Sequence, residues 1–153
     1  FTSYASVNNL QKRSPTFSEL EKLIDHHVRL FAKALDFDLK GKQLTMTNCW
    51  VNIMPKNTHH GMHIHPLSVI SGTYYLSVPK QASAIKFEDP RLDKMMATPA
   101  RRSSAKRMNQ QFVSIAPESG SLVLFESWLR HEVPMNRSAR DRISISFNKE
   151  RKK

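Results

Sequence analysis

Seven histidines occur in 153 residues, and five of them fall at His59, His60, His63, His65 and His131. The stretch Thr58-His59-His60-Gly61-Met62-His63-Ile64-His65-Pro66 is the densest. On an extended chain, residues two apart point the same way, so His63 and His65 present two imidazoles to one point. A mononuclear ion needs a further ligand from elsewhere, and His131 is the candidate supplier. Two histidines with a third ligand on one face, and other positions left open, suit non-haem Fe(II) with room for oxygen and a chelating cosubstrate. His59 and His60 are adjacent and face opposite ways on a strand, which predicts supporting or exposed positions. His26 and His27 fall in a helical pattern as packing or boundary residues. Taken alone, the cluster also fits a solvated histidine-rich loop with adventitious metal affinity.

Eleven residues after His131 stands Arg142, followed by Ser144 and Ser146 in alternation with Ile143, Ile145 and Phe147. One face of that strand is Arg/Ser/Ser and the other is apolar. A buried guanidinium is costly unless it meets an anion. Its fork matches a carboxylate through two hydrogen bonds, and the Ser144 hydroxyl can add another. In Ser71-Gly72-Thr73-Tyr74-Tyr75-Leu76, the side chains of Ser71, Thr73 and Tyr75 share a face. Tyr75 can therefore donate to the same carboxylate; the alternative is an aromatic present because strands favour aromatics.

These side chains need a scaffold, and its elements are legible. Pro15 precedes Thr16-Phe17-Ser18-Glu19, a capping box with Thr16 as N-cap. Phe17, Leu20, Ile24, His27 or Val28, Phe31 and Leu35 recur at helical spacing, predicting a helix over about 17–35 that closes through Asp36 to Gly41. From Leu44 to Ile53 the texture switches to period-2 alternation. Further strands are predicted at 69–78, 84–88, 111–116, 121–126, 130–134 and 142–148, separated by Pro, Gly and Asn turn signals. One helix followed by about eight short strands predicts a mainly β sandwich or barrel with the helix packed on its outer face. The expectation is a single domain over 1–153 with its β core at about 43–148.

The formal net charge is +11, from 24 Lys+Arg against 13 Asp+Glu. Residues 91–107 carry +5 of it and residues 137–153 another +5, so the rest of the chain is nearly neutral. The charge belongs to a basic loop at 91–110 and a basic tail at 149–153. A loop of that length is typically disordered or a functional lid. Nucleic-acid binding through loop and tail is the reading such charge invites, yet no stacking aromatics interleave with either run. Steering of an acidic substrate is the other use. The single Cys49 excludes an intramolecular disulfide and a thiolate zinc cluster. No apolar run approaches 18 residues, so no membrane span is expected. A cytoplasmic location is the default expectation, with the oligomeric state, a dimer included, left open.

The motifs together resemble the Fe(II)/2-oxoglutarate-dependent oxygenase superfamily, and within it a largely uncharacterised 2OG-Fe(II) oxygenase group of bacterial and phage proteins. They are Trp50-Val51-Asn52, His63-Ile64-His65-Pro66, Ser71 to Leu76, Phe87-Glu88-Asp89-Pro90-Arg91, Pro117 with Gly120, Leu124 to Pro134, and Arg142 to Asn148. The resemblance covers about 44–148. It implies a double-stranded β-helix, the cupin-like jelly roll, with Fe(II) and 2-oxoglutarate as cofactors. The first metal ligand would be His63 and the distal one His131. Arg142, helped by Ser144 and Tyr75, would grip the cosubstrate carboxylate, and Trp50 and Asn52 would line the substrate pocket. The implied reaction consumes oxygen, releases succinate and CO2, and hydroxylates an unidentified small molecule or peptide.

One position departs from the superfamily pattern. An acid is usual two residues after the first histidine, and this chain has His65. A three-histidine site is the favoured solution. Alternatively Glu88 or Asp89 completes the site, although both are better suited to pairing with Arg91. A degenerate iron site in a binding module is the third possibility. A cupin-like three-histidine metalloprotein that does not use 2-oxoglutarate is the rival function; it leaves Arg142 without a role, and the stretch from Gly120 to His131 is too long for the short cupin box.

Overall fold

Alternation from Leu44 onward builds two four-stranded antiparallel sheets. The computed structural model describes residues 1–91 and 96–151. The strands are β1 (Leu44–Met54), β2 (His60–His63), β3 (Ile70–Ser77), β4 (Ile85–Glu88), β5 (Phe112–Ile115), β6 (Leu122–Glu126), β7 (His131–Val133) and β8 (Arg142–Arg151). One sheet runs β1-β8-β3-β6 and the other β2-β7-β4-β5. With the helix α1 (Pro15–Ala34) ahead of them, this is the mainly β jelly roll expected.

The helix begins at Pro15 with Ser14 as its N-cap, ahead of the Thr16 capping box. Proline's fixed φ suits the first helical position, where its missing N–H would have had no partner. Ile24, Val28 and Ala32, spaced by four, form the buried stripe. They pack on Met46, Cys49, Ile70, Ile145 and Phe147 from the larger sheet. The apolar face of β8 thus lies under the helix, while Leu23 and Leu30 on the opposite face of α1 stay exposed.

Strand β8 is central, paired with both β1 and β3. Directly opposed residues of an antiparallel pair share a face, so the register sets out the other side of the sheet. Ser144 stands between Asn52 and Tyr75, Ser146 between Trp50 and Thr73, Asn148 beside Ser71, and Arg142 opposite Met54. This polar face looks toward the second sheet.

The strand runs on to Arg151, where the sequence pattern predicted a free tail from 149. Lys149 falls on the helix-facing side of β8 and is fully buried. Its ammonium pairs with Asp25 and lies 3.8 Å from Glu21, both on α1. A charge expected in solvent instead ties helix to sheet. Residues 92–95 of the basic loop and 152–153 of the tail lie outside the described residues. From Met96 to Lys106 the loop has no regular element, and a single 3-10 turn follows at Arg107–Asn109. No helix among the described residues is long and apolar enough to cross a membrane.

Gly72 allows the close packing at the middle of β3. A Cβ there would lie 2.5 Å from the Phe147 ring, 2.8 Å from Leu124 and 2.9 Å from the Val123 backbone oxygen. Gly72→Ala is expected to destabilise the fold by about 3 kcal/mol, the upper range for overpacking, as read by urea unfolding. A loss below about 1 kcal/mol would mean that the sheet yields at this point.

Candidate metal centre and its cavity

His63 ends β2, His65 follows two residues later, and His131 opens β7 directly opposite His63. The ring centroids lie 4.3 Å apart for His63 and His131, 5.2 Å for His63 and His65, and 5.1 Å for His65 and His131. One ring nitrogen from each lies within 4.8 Å of the other two.

The hydrogen bonds of the rings decide which nitrogen is available. Nδ1 of His63 lies 2.7 Å from the Gly61 carbonyl, Nδ1 of His131 2.8 Å from that of Leu129, and Nδ1 of His65 2.5 Å from Asn148 Oδ1. A carbonyl oxygen only accepts, so each Nδ1 carries a proton, and in the neutral ring the lone pair is then on Nε2. Asn148 Oδ1 also accepts from the Ser71 hydroxyl at 2.8 Å, and Ser71 meets Ser127 at 2.8 Å. Burial pushes the His131 pKa down to about 4 against the opposing pull of the Leu129 carbonyl. Burial likewise lowers His65, opposed by its Asn148 bond. Both rings are therefore neutral near pH 7, the form that binds a metal.

His65 Nε2 is buried and has no hydrogen-bond partner among the described residues. A buried lone pair beside two further imidazoles fits a divalent ion, and an all-imidazole donor set is acceptable to Fe(II). The acids weighed as alternatives are engaged elsewhere. Arg91 grips Asp89 through contacts of 2.5–2.9 Å, and Glu88 lies 2.8 Å from Arg130.

Arg142 is only 2% exposed and has no carboxylate partner among the described residues. It donates to the Met54 sulfur at 3.3 Å, its Nε has no partner, and its guanidinium lies 4.9 Å from the Tyr75 ring centre. The Tyr75 hydroxyl is buried beside it and makes no hydrogen bond of good geometry among the described residues, with the Arg142 charge as its polar neighbour. Burial draws the Arg142 pKa down and the Tyr75 pKa up. Isolated positive charge in such a place is unfavourable until an anion arrives.

The histidines, Arg142, Ser144 and Tyr75 all line one cavity of about 390 Å³ between the sheets. Trp50 and Asn52 line it too. Trp50 meets Tyr4 edge-on at 4.9 Å, and Asn52 donates to Ser146 at 3.0 Å while its own Oδ1 is left unpartnered. His60 lines the cavity, whereas His59, His26 and His27 are exposed. Sequence reasoning missed Asn148 as the support of His65, and assigned Glu150 to tail charge. Continuing the period-2 face of β8 past Ser146 would have found both.

The family model described as "Putative 2OG-Fe(II) oxygenase" matches residues 48–148, more than half of the chain. No curated protein matches the sequence. Solved structures with the same fold include an oxidoreductase of the 2OG-Fe(II) oxygenase family from Burkholderia pseudomallei, 17% identical with a TM-score of 0.59. That match covers 80% of this chain and 50% of the other. A Pseudomonas putida prolyl-4-hydroxylase is 16% identical, TM-score 0.62, over 92% of this chain and 68% of its own. The non-heme alpha ketoglutarate dependent epimerase SnoN from nogalamycin biosynthesis is 14% identical, TM-score 0.67, over 94% and 59%; it is also known in complex with Fe3+, alpha ketoglutarate and nogalamycin RO. This chain thus spans half to two thirds of the lengths of these structures, and the likeness is one of fold. The family match runs from Asn48 to Asn148 across both sheets, and on it the chain belongs to the 2OG-Fe(II) oxygenase family, whose cofactors are Fe(II) and 2-oxoglutarate.

Proposed function

We propose that the protein is an Fe(II)- and 2-oxoglutarate-dependent dioxygenase of the hydroxylase type. The observation that carries this reading is the buried Arg142, without a carboxylate partner among the described residues, in the same cavity as three converging histidines. His63, His65 and His131 would hold Fe(II) through Nε2. When bound, the metal supplies oxygen activation coupled to oxidative decarboxylation of 2-oxoglutarate: one oxygen atom enters a substrate C–H bond, the other enters succinate, and CO2 leaves. Arg142 clamps the distal carboxylate of the cosubstrate, with the Ser144 and Tyr75 hydroxyls placed to donate to it. Asn148 holds the His65 proton on Nδ1, which keeps Nε2 open. Phe125, Ile85 and Val133, all buried, give the cavity an apolar part that limits water. Trp50 and Asn52 flank the place left for the substrate, a small molecule or peptide.

The test is thermal. In protein loaded with Mn(II), 2-oxoglutarate at a hundred times its Kd is expected to raise Tm by about 5–10 °C. With Fe(II) and air the same protein should form succinate slowly without any added substrate. Absence of the shift would sink the dioxygenase reading and leave a three-histidine metalloprotein that does not use 2-oxoglutarate.

A further inference from the structure

The cavity face of β8 reads Arg142, Ser144, Ser146, Asn148, Glu150, and all five side chains line the cavity. Among the described residues, Arg142 and Glu150 are the only Lys, Arg, Asp or Glu side chains that do so. A chain of net charge +11 therefore presents this cavity with one deep cation and one carboxylate. Glu150 accepts from the Thr47 hydroxyl at 2.9 Å and forms no ion pair among the described residues.

Spacing fixes where that carboxylate lies. Asn148, which holds His65, is one step from Glu150 on this face, about 7 Å along the strand. Arg142 is three steps the other way, about 20 Å. The anion thus sits just beyond the histidines, on the side away from the cosubstrate clamp. Two apolar side chains at this cavity are open to solvent. Ile64 is 43% exposed and Leu67 94% exposed, and both line the cavity. Leu67 also holds a positive φ of 70°, a costly conformation for a side chain of this kind.

We infer that Glu150, Ile64 and Leu67 form the subsite for the prime substrate, and that its occupant is a flexible apolar stem ending in a cation, the chemistry of a basic amino-acid side chain. The stem lies along Ile64 and Leu67 as such stems lie along apolar surface. The terminal charge meets Glu150, and a carbon several bonds back is brought to the histidines. This rests on the dioxygenase reading and reverses what net charge alone suggests. The exposed bases elsewhere are screened beyond about 8 Å in physiological salt, whereas Glu150 acts at contact. A phosphate-rich strand would meet a carboxylate at the mouth.

The experiment uses the Mn(II)- and 2-oxoglutarate-loaded protein with three probes: the Nα-acetyl amides of lysine, norleucine and glutamate. Paramagnetic broadening of the probe methylene protons gives each Kd. The lysine probe is expected to bind about tenfold more tightly than norleucine, the scale of one charge-assisted hydrogen bond, and glutamate most weakly. Glu150→Gln is expected to erase the lysine advantage. Leu67→Ser, at a position too exposed to disturb folding, is expected to weaken the lysine and norleucine probes alike. Equal affinities, preference for glutamate, displacement of the probes by a single-stranded oligonucleotide, or a lysine preference that survives Glu150→Gln would each overturn the assignment. A 2-oxoglutarate shift without charge preference removes the subsite alone; no 2-oxoglutarate shift removes the parent reading with it.

Discussion

Arg142→Met is expected to abolish the thermal response to 2-oxoglutarate while leaving the cosubstrate-free protein as stable as the parent, or more so. The two halves have one cause. In the free protein the guanidinium is 2% exposed, faces the Tyr75 ring and a methionine sulfur, and has no acid to pair with among the described residues. Replacing such a buried charge by an apolar side chain of similar volume is often neutral or stabilising. Once a carboxylate arrives, the same charge becomes the partner of a buried ion pair. Truncating one member of such a pair costs about 2–5 kcal/mol, or roughly 30- to several-thousand-fold in Kd. Arg142→Lys keeps the charge without the fork, so partial recovery is expected. The measurements are Tm of the Mn(II) protein with and without 2-oxoglutarate, and the KM for 2-oxoglutarate in the succinate assay. A variant that keeps both within about threefold of the parent would move the carboxylate clamp elsewhere.

How far the sequence reached can be seen on β8. Its alternation of Arg142, Ser144 and Ser146 with Ile143, Ile145 and Phe147 was enough to separate a cavity face from a helix-facing one, because strand periodicity is strictly two. Beyond Asn148 the same rule was hidden by composition. Lys149, Glu150, Arg151, Lys152 and Lys153 read as a solvated tail, yet the described strand continues to Arg151. Lys149 is buried because α1 brings Asp25 and Glu21 over it, a tertiary pairing across more than a hundred residues that no local pattern encodes. The convergence of His63, His65 and His131 was legible from an i, i+2 spacing plus one distant partner. The tautomers were not, since they depend on the Gly61 and Leu129 carbonyls and on an asparagine 83 residues away from His65. The engagement of Asp89 by Arg91 was readable locally, two residues apart; that of Glu88 by Arg130 came from the pairing of β4 with β7.

His65→Ala is expected to lose Fe(II) and Mn(II) binding, since it leaves two imidazoles where three converge. The graded partner of that experiment is Asn148. Its Oδ1 is the acceptor that keeps the His65 proton on Nδ1, and its loss frees the ring to turn or to shift its tautomer. Removing a support of this kind typically costs 10- to 100-fold in metal affinity, and that is the range expected for Asn148→Ala in a Mn(II) titration followed by electron paramagnetic resonance. Asn148→Asp should bind at least as tightly as the parent. A carboxylate accepts the same Nδ1 proton, raises the basicity of Nε2 and would offset part of the charge of an ion held by imidazoles alone. Asp89→Asn tests the other candidate for the departure at position 65. Arg91 already engages that acid, so metal affinity should stay within about twofold, less than 0.5 kcal/mol. If Asp89→Asn loses the metal while His65→Ala keeps it, the centre is two histidines and a carboxylate, and His65 only flanks it.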